Sequence, residues 1–212
     1  MSDNSFKKAR LDYNIGNIDF NNIIDPIKLF RRWFDEVYQI DNEEAVSMNL
    51  STISSDNYPN SRIVLLRGLE DGFIFYSNYK SQKGREIEKN PKAHINFYWP
   101  SLERQVRIKG TINKTSAKVS DKYFLSRPLK SRIGAILSDQ STEIPLDKDL
   151  QKGLLVEINK NQNKEIERPN HWGGYYLKPS EIEFWQGKDA RLHDRLLYEK
   201  KNNEWIPKRL SP

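Results

Sequence analysis

The sequence predicts a mainly β chain with helices, an α+β fold, and three observations carry that prediction. Apolar, strand-like segments come in pairs joined by short turns, as in residues 62–68 and 73–78 across Glu70-Asp71-Gly72. A second pair, residues 93–99 and 103–114, is joined across Pro100-Ser101. Between such pairs lie segments of helical period with caps or proline at their ends. Antiparallel hairpins interrupted by helices imply a β-barrel with helices at its ends, although periodicity cannot by itself show closure.

In chain order, residues 1–24 are polar and rich in Asn and Asp, and are expected to form a mobile arm ahead of a folded domain of residues 25–212. Asp25-Pro26 is a helix cap followed by proline at the first helical position. Ile27, Phe30, Trp33, Phe34, Val37 and Tyr38 then recur at helical spacing to about residue 40, and the stripe reads as core packing. Residues 45–53 alternate through Val46, Met48 and Leu50 as a strand, and Asp56-Asn57-Tyr58-Pro59-Asn60 is a turn. Residues 62–68 read as a strand apolar on both faces. Ser81 caps a helix through Ile87 to Asn90, with Pro91 after its end.

Residues 116–125 form a helix that Pro128 breaks, and a second short helix spans residues 131–137. A loop over 138–145 and a charged helix over 147–167 follow. Strands at 172–176, 182–185, 191–200 and 205–210 complete the chain, with Gly173-Gly174 read as a strand bend. There is no internal repeat and no low-complexity linker.

Of 212 residues, 36% are hydrophobic and 30% charged, so a core must be built from few large side chains; the 11% aromatics supply them. The net charge of +6 and a sequence pI of about 9.3 attract phosphates, nucleic acid or anionic lipid alike. No basic run reaches five, so a nucleic-acid tail is not expected and a small phosphorylated ligand is the simpler partner. With no cysteine, thiol catalysis, disulfides and thiolate-bound metal are excluded. His94 and His171 have no partners at ligand spacing, so no metal is expected. No apolar window approaches membrane-spanning length and no secretory leader is visible, so a soluble cytoplasmic protein is expected.

Residues 182–195, IEFWQGKDARLHDR, are the most informative stretch. The IEFW half reads as a buried strand. In the other half Arg191, His193 and Arg195 share one face if extended. Three potential cations beside Trp185 suit a planar, anionic ligand, because guanidinium forks bind phosphate and tryptophan covers a ring.

This segment resembles the C-terminal signature of the pyridoxine/pyridoxamine 5′-phosphate oxidases. RIVLLRG from Arg62, FYSN from Phe75, LERQV from Leu102, YFLSRP from Tyr123 and the pair Gln140-Ser141 match that family in order, from about residue 10 to the C-terminus. The resemblance implies an FMN-binding split β-barrel with peripheral helices, working as a homodimer with FMN at the subunit interface. It implies oxidation of pyridoxamine or pyridoxine 5′-phosphate to pyridoxal 5′-phosphate, with O2 as acceptor and H2O2 as product.

By the same resemblance, FMN meets Arg62, Ile63, Val64, Leu65, Leu66 and Arg67 along one strand, and Tyr76 and Ser77 on the next. Lys83, with Gln82, is expected near its phosphate; Gln105, Gln140, Ser141, Trp185 and Arg195 complete the cofactor set. Arg67, Tyr123, Arg127 and Ser131 are expected to bind the substrate's phosphate, Ser131 as the cap of the helix after Pro128. Arg191 and His193 are the catalytic pair that orients the substrate, with Leu192 between them, and Arg10 and Tyr13 of the arm close over it. Two positions depart from the family: Gln82 stands where it usually has arginine, and Arg67 where it usually has lysine. The first loses a charge that Arg85 could replace, and the second exchanges a compact ammonium for a planar fork.

Read without the family, His193 is a strand histidine paired with an acid such as Asp194, and Tyr123 a core residue. Two alternative functions follow: a split-barrel flavin reductase or oxidase with another substrate, and a basic β-barrel module binding nucleic acid through surface aromatics.

Overall fold

The computed structural model describes residues 12–70, 72–161 and 166–212. They divide into two compact units. The first holds the described residues up to Asn49, with Ile95–Lys109 and Pro179–Pro212; the second holds Leu50–His94 and Gly110–Lys178.

The elements are α1 (Pro26–Tyr38), α2 (Asn42–Val46), β1 (Ser47–Ile53), β2 (Pro59–Leu65), β3 (Gly68–Leu69), β4 (Phe73–Asn78), α3 (Gln82–Lys89), β5 (Lys92–Trp99) and β6 (Arg104–Lys114). There follow α4 (Ala117–Ser126), α5 (Leu129–Leu137), α6 (Leu150–Asn161), β7 (Trp172–Gln186), β8 (Asp194–Lys201) and β9 (Glu204–Leu210). The strand order is β2-β1-β5-β6-β7-β4-β3, with β8 paired to β7 and β9 to β8. The expected class, mainly antiparallel sheet with helices, is what forms.

In the first unit, α1 starts where its cap dictates: the Asp25 carboxylate accepts the backbone N–H groups of Ile27 and Lys28 at 2.9 and 3.1 Å. The stripe of α1 is core, as expected. Phe30 lies 5.1 Å from Phe97 and 5.7 Å from Trp99, and Trp33 meets Phe184 edge-on at 5.1 Å. Tyr38, at the end of the stripe, is exposed. Residues 12–24 run along this unit: Ile15 N–H donates to Glu103, Ile18 N–H to Asp194, and the Ile24 carbonyl accepts the Tyr198 hydroxyl at 2.7 Å.

In the second unit, Phe75 stacks on Tyr175 at 5.3 Å, and Phe124, Ile133, Ile166 and Trp172 form a further buried cluster. Ser81 caps α3 through the N–H of Gly84, as read from sequence, and Ser116 caps α4 through that of Val119. Gly173 is needed because a Cβ there would collide with the Tyr79 hydroxyl.

Several expectations are corrected. The strand read at 45–53 starts only at Ser47, because Asp41 caps a short helix by accepting the N–H groups of Glu43 and Glu44. The strand read at 62–68 runs over Pro59–Leu65 and pairs with β1, while only the two residues Gly68–Leu69 pair back with β4. It is not buried on both faces: Ile63 and Leu65 are exposed, at 65% and 40%. The two strands read at 172–176 and 182–185 are one. Its first part registers with β4 through Leu177 and its second with β8 from Glu181, so Pro179, which has no N–H to give, falls between the two registers. Gly173-Gly174 is strand, not a bend.

Ser131 does not cap α5. Pro128 occupies that position, and Ser131 lies inside the first turn with its N–H on the Pro128 carbonyl. Finally, β8 begins at Asp194, not Arg191.

Candidate active site

The second unit holds a cavity of about 460 Å³. Strand β2 supplies Ile63, Val64 and Leu65, and Arg67 follows it. Tyr76, Ser77 and Asn78 come from the end of β4, Lys83 from α3, and Tyr123, Arg127, Pro128 and Ser131 from the α4–α5 junction. Gln140 and Trp172 complete the lining.

One wall is aromatic. Tyr76 and Tyr123 stack with centroids 3.7 Å apart, and Trp172 lies nearly parallel to Tyr123 at 6.3 Å. The Arg127 guanidinium sits 4.6 Å over the Trp172 ring. Its Nη1 is buried and has no hydrogen-bond partner among the described residues. Burial holds this guanidinium below its usual range, with Tyr123 opposing the shift.

The second cation is Lys83. It is buried, and its Nζ makes a long contact, 3.4 Å, to Ser77 Oγ, which in turn lies 3.5 Å from Gln140 Oε1. An ammonium carries three donors, so this one is under-satisfied. Burial is the main cause that lowers its pKa; the neighbouring Arg62 charge adds to this and Glu86 opposes it. A buried, incompletely paired cation is costly unless an anion arrives to share it. This buried ammonium and the half-buried Arg127 guanidinium in one cavity suit phosphate-like groups, and the flat aromatic wall suits a planar ring.

The cavity gathers Ile63, Val64, Leu65, Arg67, Tyr76, Ser77, Lys83, Tyr123, Arg127, Ser131 and Gln140 from the expected set. It does not gather the rest. Arg62 turns to Glu86 at 3.0 Å, and Leu66 is buried outside the lining. Gln82 and Arg85 face a separate surface groove of about 750 Å³ with Asp56 and Tyr58, because consecutive helix residues point about 100° apart. Ser141 lines a loop pocket with Gln140, and its backbone has φ of 70°. Gln105 belongs to the first unit, where it donates to Asn96 at 2.7 Å. Asn78, Pro128 and Trp172 line the cavity without having been singled out; for Trp172 the aromatic-rich HWGGYY stretch was the available signal.

The C-terminal signature forms its own cluster in the first unit. The His193 ring lies 4.6 Å from Trp185, and Tyr13 meets both rings edge-on, at 5.6 and 5.7 Å. The expectation that Arg191, His193 and Arg195 share one strand face is not met. Ala190 and Arg191 are left-handed, with φ of 51° and 62°, inside a tight turn before β8. Two consecutive non-glycine residues there store local strain, a frequent property of functional segments.

His193 does not pair with Asp194, which accepts from Ile18 N–H and Arg209 instead. Its Nδ1 accepts the Lys188 backbone N–H at 3.1 Å, and burial followed by the Arg191 charge lowers its pKa. Arg195 is clamped: Nε and Nη2 both reach Glu183 at 2.9 Å, and Nη1 reaches the Ser211 carbonyl at 3.0 Å. The same Glu183 accepts from Arg107 at 3.0 Å. Leu192 is exposed beside His193. Arg10 lies outside the described residues.

Among the described residues no cluster of three His, Asp or Glu could hold a metal ion, and no helix is long and apolar enough to cross a membrane. Fold and cavity together define a mainly β protein with a cavity whose cations and aromatic rings suit a planar, phosphorylated ligand.

Comparison with known proteins makes that class specific. Residues 35–158 match the family model described as pyridoxamine 5′-phosphate oxidase, and residues 172–212 match that of the pyridoxine 5′-phosphate oxidase C-terminal dimerisation region. A Legionella pneumophila (strain Paris) protein named pyridoxine/pyridoxamine 5′-phosphate oxidase is 51% identical over 190 residues, covering 89% of this chain and 88% of its own. A Leptospira interrogans protein of the same name is 44% identical over 213 residues, covering 99% and 100%. The crystal structure of PhzG from Burkholderia lata superposes with a TM-score of 0.85 at 28% identity, over 94% of this chain and all of that one. A Nostoc punctiforme protein, described as pyridoxamine 5′-phosphate oxidase-related and FMN binding, gives 0.74 at 17% identity, over 90% of this chain and all of that one. The chain belongs to the pyridoxamine 5′-phosphate oxidase family, a family of oxidoreductases, and has its split-barrel fold.

Proposed function

We propose that this protein oxidises pyridoxamine 5′-phosphate or pyridoxine 5′-phosphate to pyridoxal 5′-phosphate with FMN as cofactor and O2 as electron acceptor, giving H2O2. The observation that carries the reading is the pairing of two under-satisfied cations, the buried Lys83 and the half-buried Arg127 with its buried Nη1, with stacked aromatic rings in one cavity. One cation is available for the phosphate of the cofactor and the other for that of the substrate.

The residues present fit FMN. Lys83, Ser77 and Gln140 offer an ammonium, a hydroxyl and an amide at one end of the cavity, and Ile63, Val64 and Leu65 offer an extended apolar backbone along it. Bound FMN would supply the redox chemistry, hydride acceptance from C4′ of the substrate and reoxidation by O2. The protein's part is to bind, orient and tune. Arg127, with Arg67, Tyr123 and Ser131, holds the substrate's phosphate, and this fixes where C4′ falls. Arg191 and His193 orient the pyridine ring, and Trp185, Gln105, Ser141 and Arg195 belong to the cofactor's surroundings. Arg195, held by Glu183 and the Ser211 carbonyl, would place a cation in the cofactor's surroundings, and such a charge would favour electron uptake. With the amine substrate, the resulting imine is hydrolysed to the aldehyde and ammonia leaves.

A homodimer with FMN at the subunit interface accords with the match to a dimerisation region and with the exposure of Ile63 and Leu65 beside the cavity. A second reading, oxidation of another substrate, has support in the PhzG structure, which holds tetrahydrophenazine-1-carboxylic acid, a ligand without phosphate.

Anaerobic mixing with pyridoxamine 5′-phosphate separates the two. The flavin absorbance should bleach and return on admitting air, and unphosphorylated pyridoxamine at the same concentration should bleach it far more slowly. Equal rates for the two amines would remove the phosphate from the reading and favour the second one.

A further inference from the structure

Glu86 is a buried charge for which the proposed chemistry has no use. It lies on α3, three residues after Lys83, is 7% exposed, and is absent from the cavity lining. Donors from β1 and β2 nevertheless converge on it. Oε2 accepts from the Thr52 hydroxyl at 2.5 Å and from Arg62 Nη2 at 3.0 Å, while Oε1 accepts from Asn60 Nδ2 at 2.6 Å. These donors and the guanidinium outweigh its burial, which alone would raise its pKa, and hold the carboxyl below its usual range.

Arg62 is fixed as firmly. Its Nη1 donates to the Leu50 carbonyl at 3.2 Å, to Thr52 Oγ1 at 2.5 Å and to the Asn60 carbonyl at 3.1 Å. The guanidinium is therefore spent on the interior, and it does not line the cavity although its strand neighbours Ile63, Val64 and Leu65 do. Lys83 does line it, and points to Ser77. The order of charges is thus an ammonium facing the cavity, a guanidinium behind it, and a carboxylate closing the set. Without the carboxylate two partly buried cations would face each other uncompensated, and a guanidinium does not give up its proton.

We propose that Glu86 is a positioning residue for the cofactor's phosphate: it anchors Arg62 behind the cavity and balances its charge, so that Lys83 presents its ammonium to that phosphate. The inference rests on the reading that FMN occupies this cavity.

Riboflavin, which is FMN without the phosphate, separates this role from a merely structural one. Binding of FMN and of riboflavin to the full-length protein freed of flavin is followed by quenching of flavin fluorescence. The wild-type protein should prefer FMN strongly; equal affinity for the two flavins would defeat the FMN reading itself. Glu86→Gln keeps the size and one acceptor of the side chain. It should weaken FMN by about tenfold, as loss of one charge-assisted arrangement does, and leave riboflavin within about twofold.

Arg62→Gln combined with Glu86→Gln replaces the ion pair by two amides, a change buried pairs often tolerate. Because the uncompensated cation is gone, the double variant should recover most of the lost preference for FMN; it also serves if the single variant does not fold. Equal loss of both flavins in Glu86→Gln, no loss of either, or a double variant that prefers FMN no better than Glu86→Gln would each overturn the proposal.

Discussion

Lys188 donates its backbone N–H to Nδ1 of His193 at 3.1 Å. A ring nitrogen that accepts cannot carry a proton, so this contact selects the neutral tautomer protonated at Nε2. His193 then faces a ligand as a hydrogen-bond donor and not as a base. Nitrogen-15 NMR of the histidine rings should show His193 protonated at Nε2 and bare at Nδ1 at neutral pH; a signal from protonated Nδ1 would refute this.

Burial and a neighbouring charge set the direction of the ring's pH response. Burial and the adjacent Arg191 lower the pKa of His193 from 6.5, whereas in the unfolded chain the ring protonates near that value. Between the two values the unfolded chain binds more protons, so the stabilisation from this ring is complete above pH 6.5 and fades as pH falls through the folded midpoint. The NMR titration of His193 should have its midpoint below 6.5. Tyr13, Trp185, Arg191 and Arg209 surround the ring, and none of them is a carboxylate that would pull the midpoint up. A midpoint at or above 6.5 would contradict the arrangement.

Arg127 combines an unpartnered buried Nη1 with a place in the cavity wall. Arg127→Met should raise KM for pyridoxamine 5′-phosphate by roughly tenfold to a hundredfold, since a charge-assisted contact to phosphate is worth about 1.5–3 kcal/mol. Thermal stability should not fall, because the substitution removes a half-buried guanidinium with an unpartnered Nη1 and keeps apolar contact with Trp172. Steady-state kinetics and a melting curve check both halves; an unchanged KM, or a markedly lower Tm, would count against the role.

Arg195 is held by Glu183 through two nitrogens, and Glu183 is shared with Arg107. Arg195→Leu should therefore do two things. It should slow anaerobic flavin reduction by at least about tenfold, the scale of one electrostatic contact in a site. It should also leave the buried Glu183 with Arg107 as its remaining guanidinium, at a cost of about 1–3 kcal/mol in stability. Stopped-flow absorbance and denaturant unfolding measure these separately, and an unaltered reduction rate would remove Arg195 from the chemistry.

Gly173 lies on β7 where an added Cβ would collide with the Tyr79 hydroxyl, itself hydrogen-bonded to the Gly174 carbonyl at 3.3 Å. Gly173→Ala should lower stability by about 1–3 kcal/mol, the usual range for overpacking. Denaturant unfolding would show it as a lower midpoint at an unchanged slope, and no change would mean that Tyr79 moves freely.

Much of this protein was legible in one dimension because its causes are local. Asp25 and Ser81 cap helices a few atoms away, Pro128 ends a helix, and the stripe from Phe30 to Val37 repeats with the helix itself. The motifs that mark the family are likewise contiguous. What tertiary structure alone decided is which neighbours face inward and what they meet. Gln82 and Lys83 are adjacent in the chain, yet they serve different surfaces. Arg62 meets Glu86 across 24 residues, and Arg195 is clamped by Glu183 and the Ser211 carbonyl. Arg191 leaves the extended form that simple alternation assigns to it. Such pairings depend on the convergence of strands far apart in sequence, and side-chain spacing carries no record of a partner whose position is set by the packing of other elements.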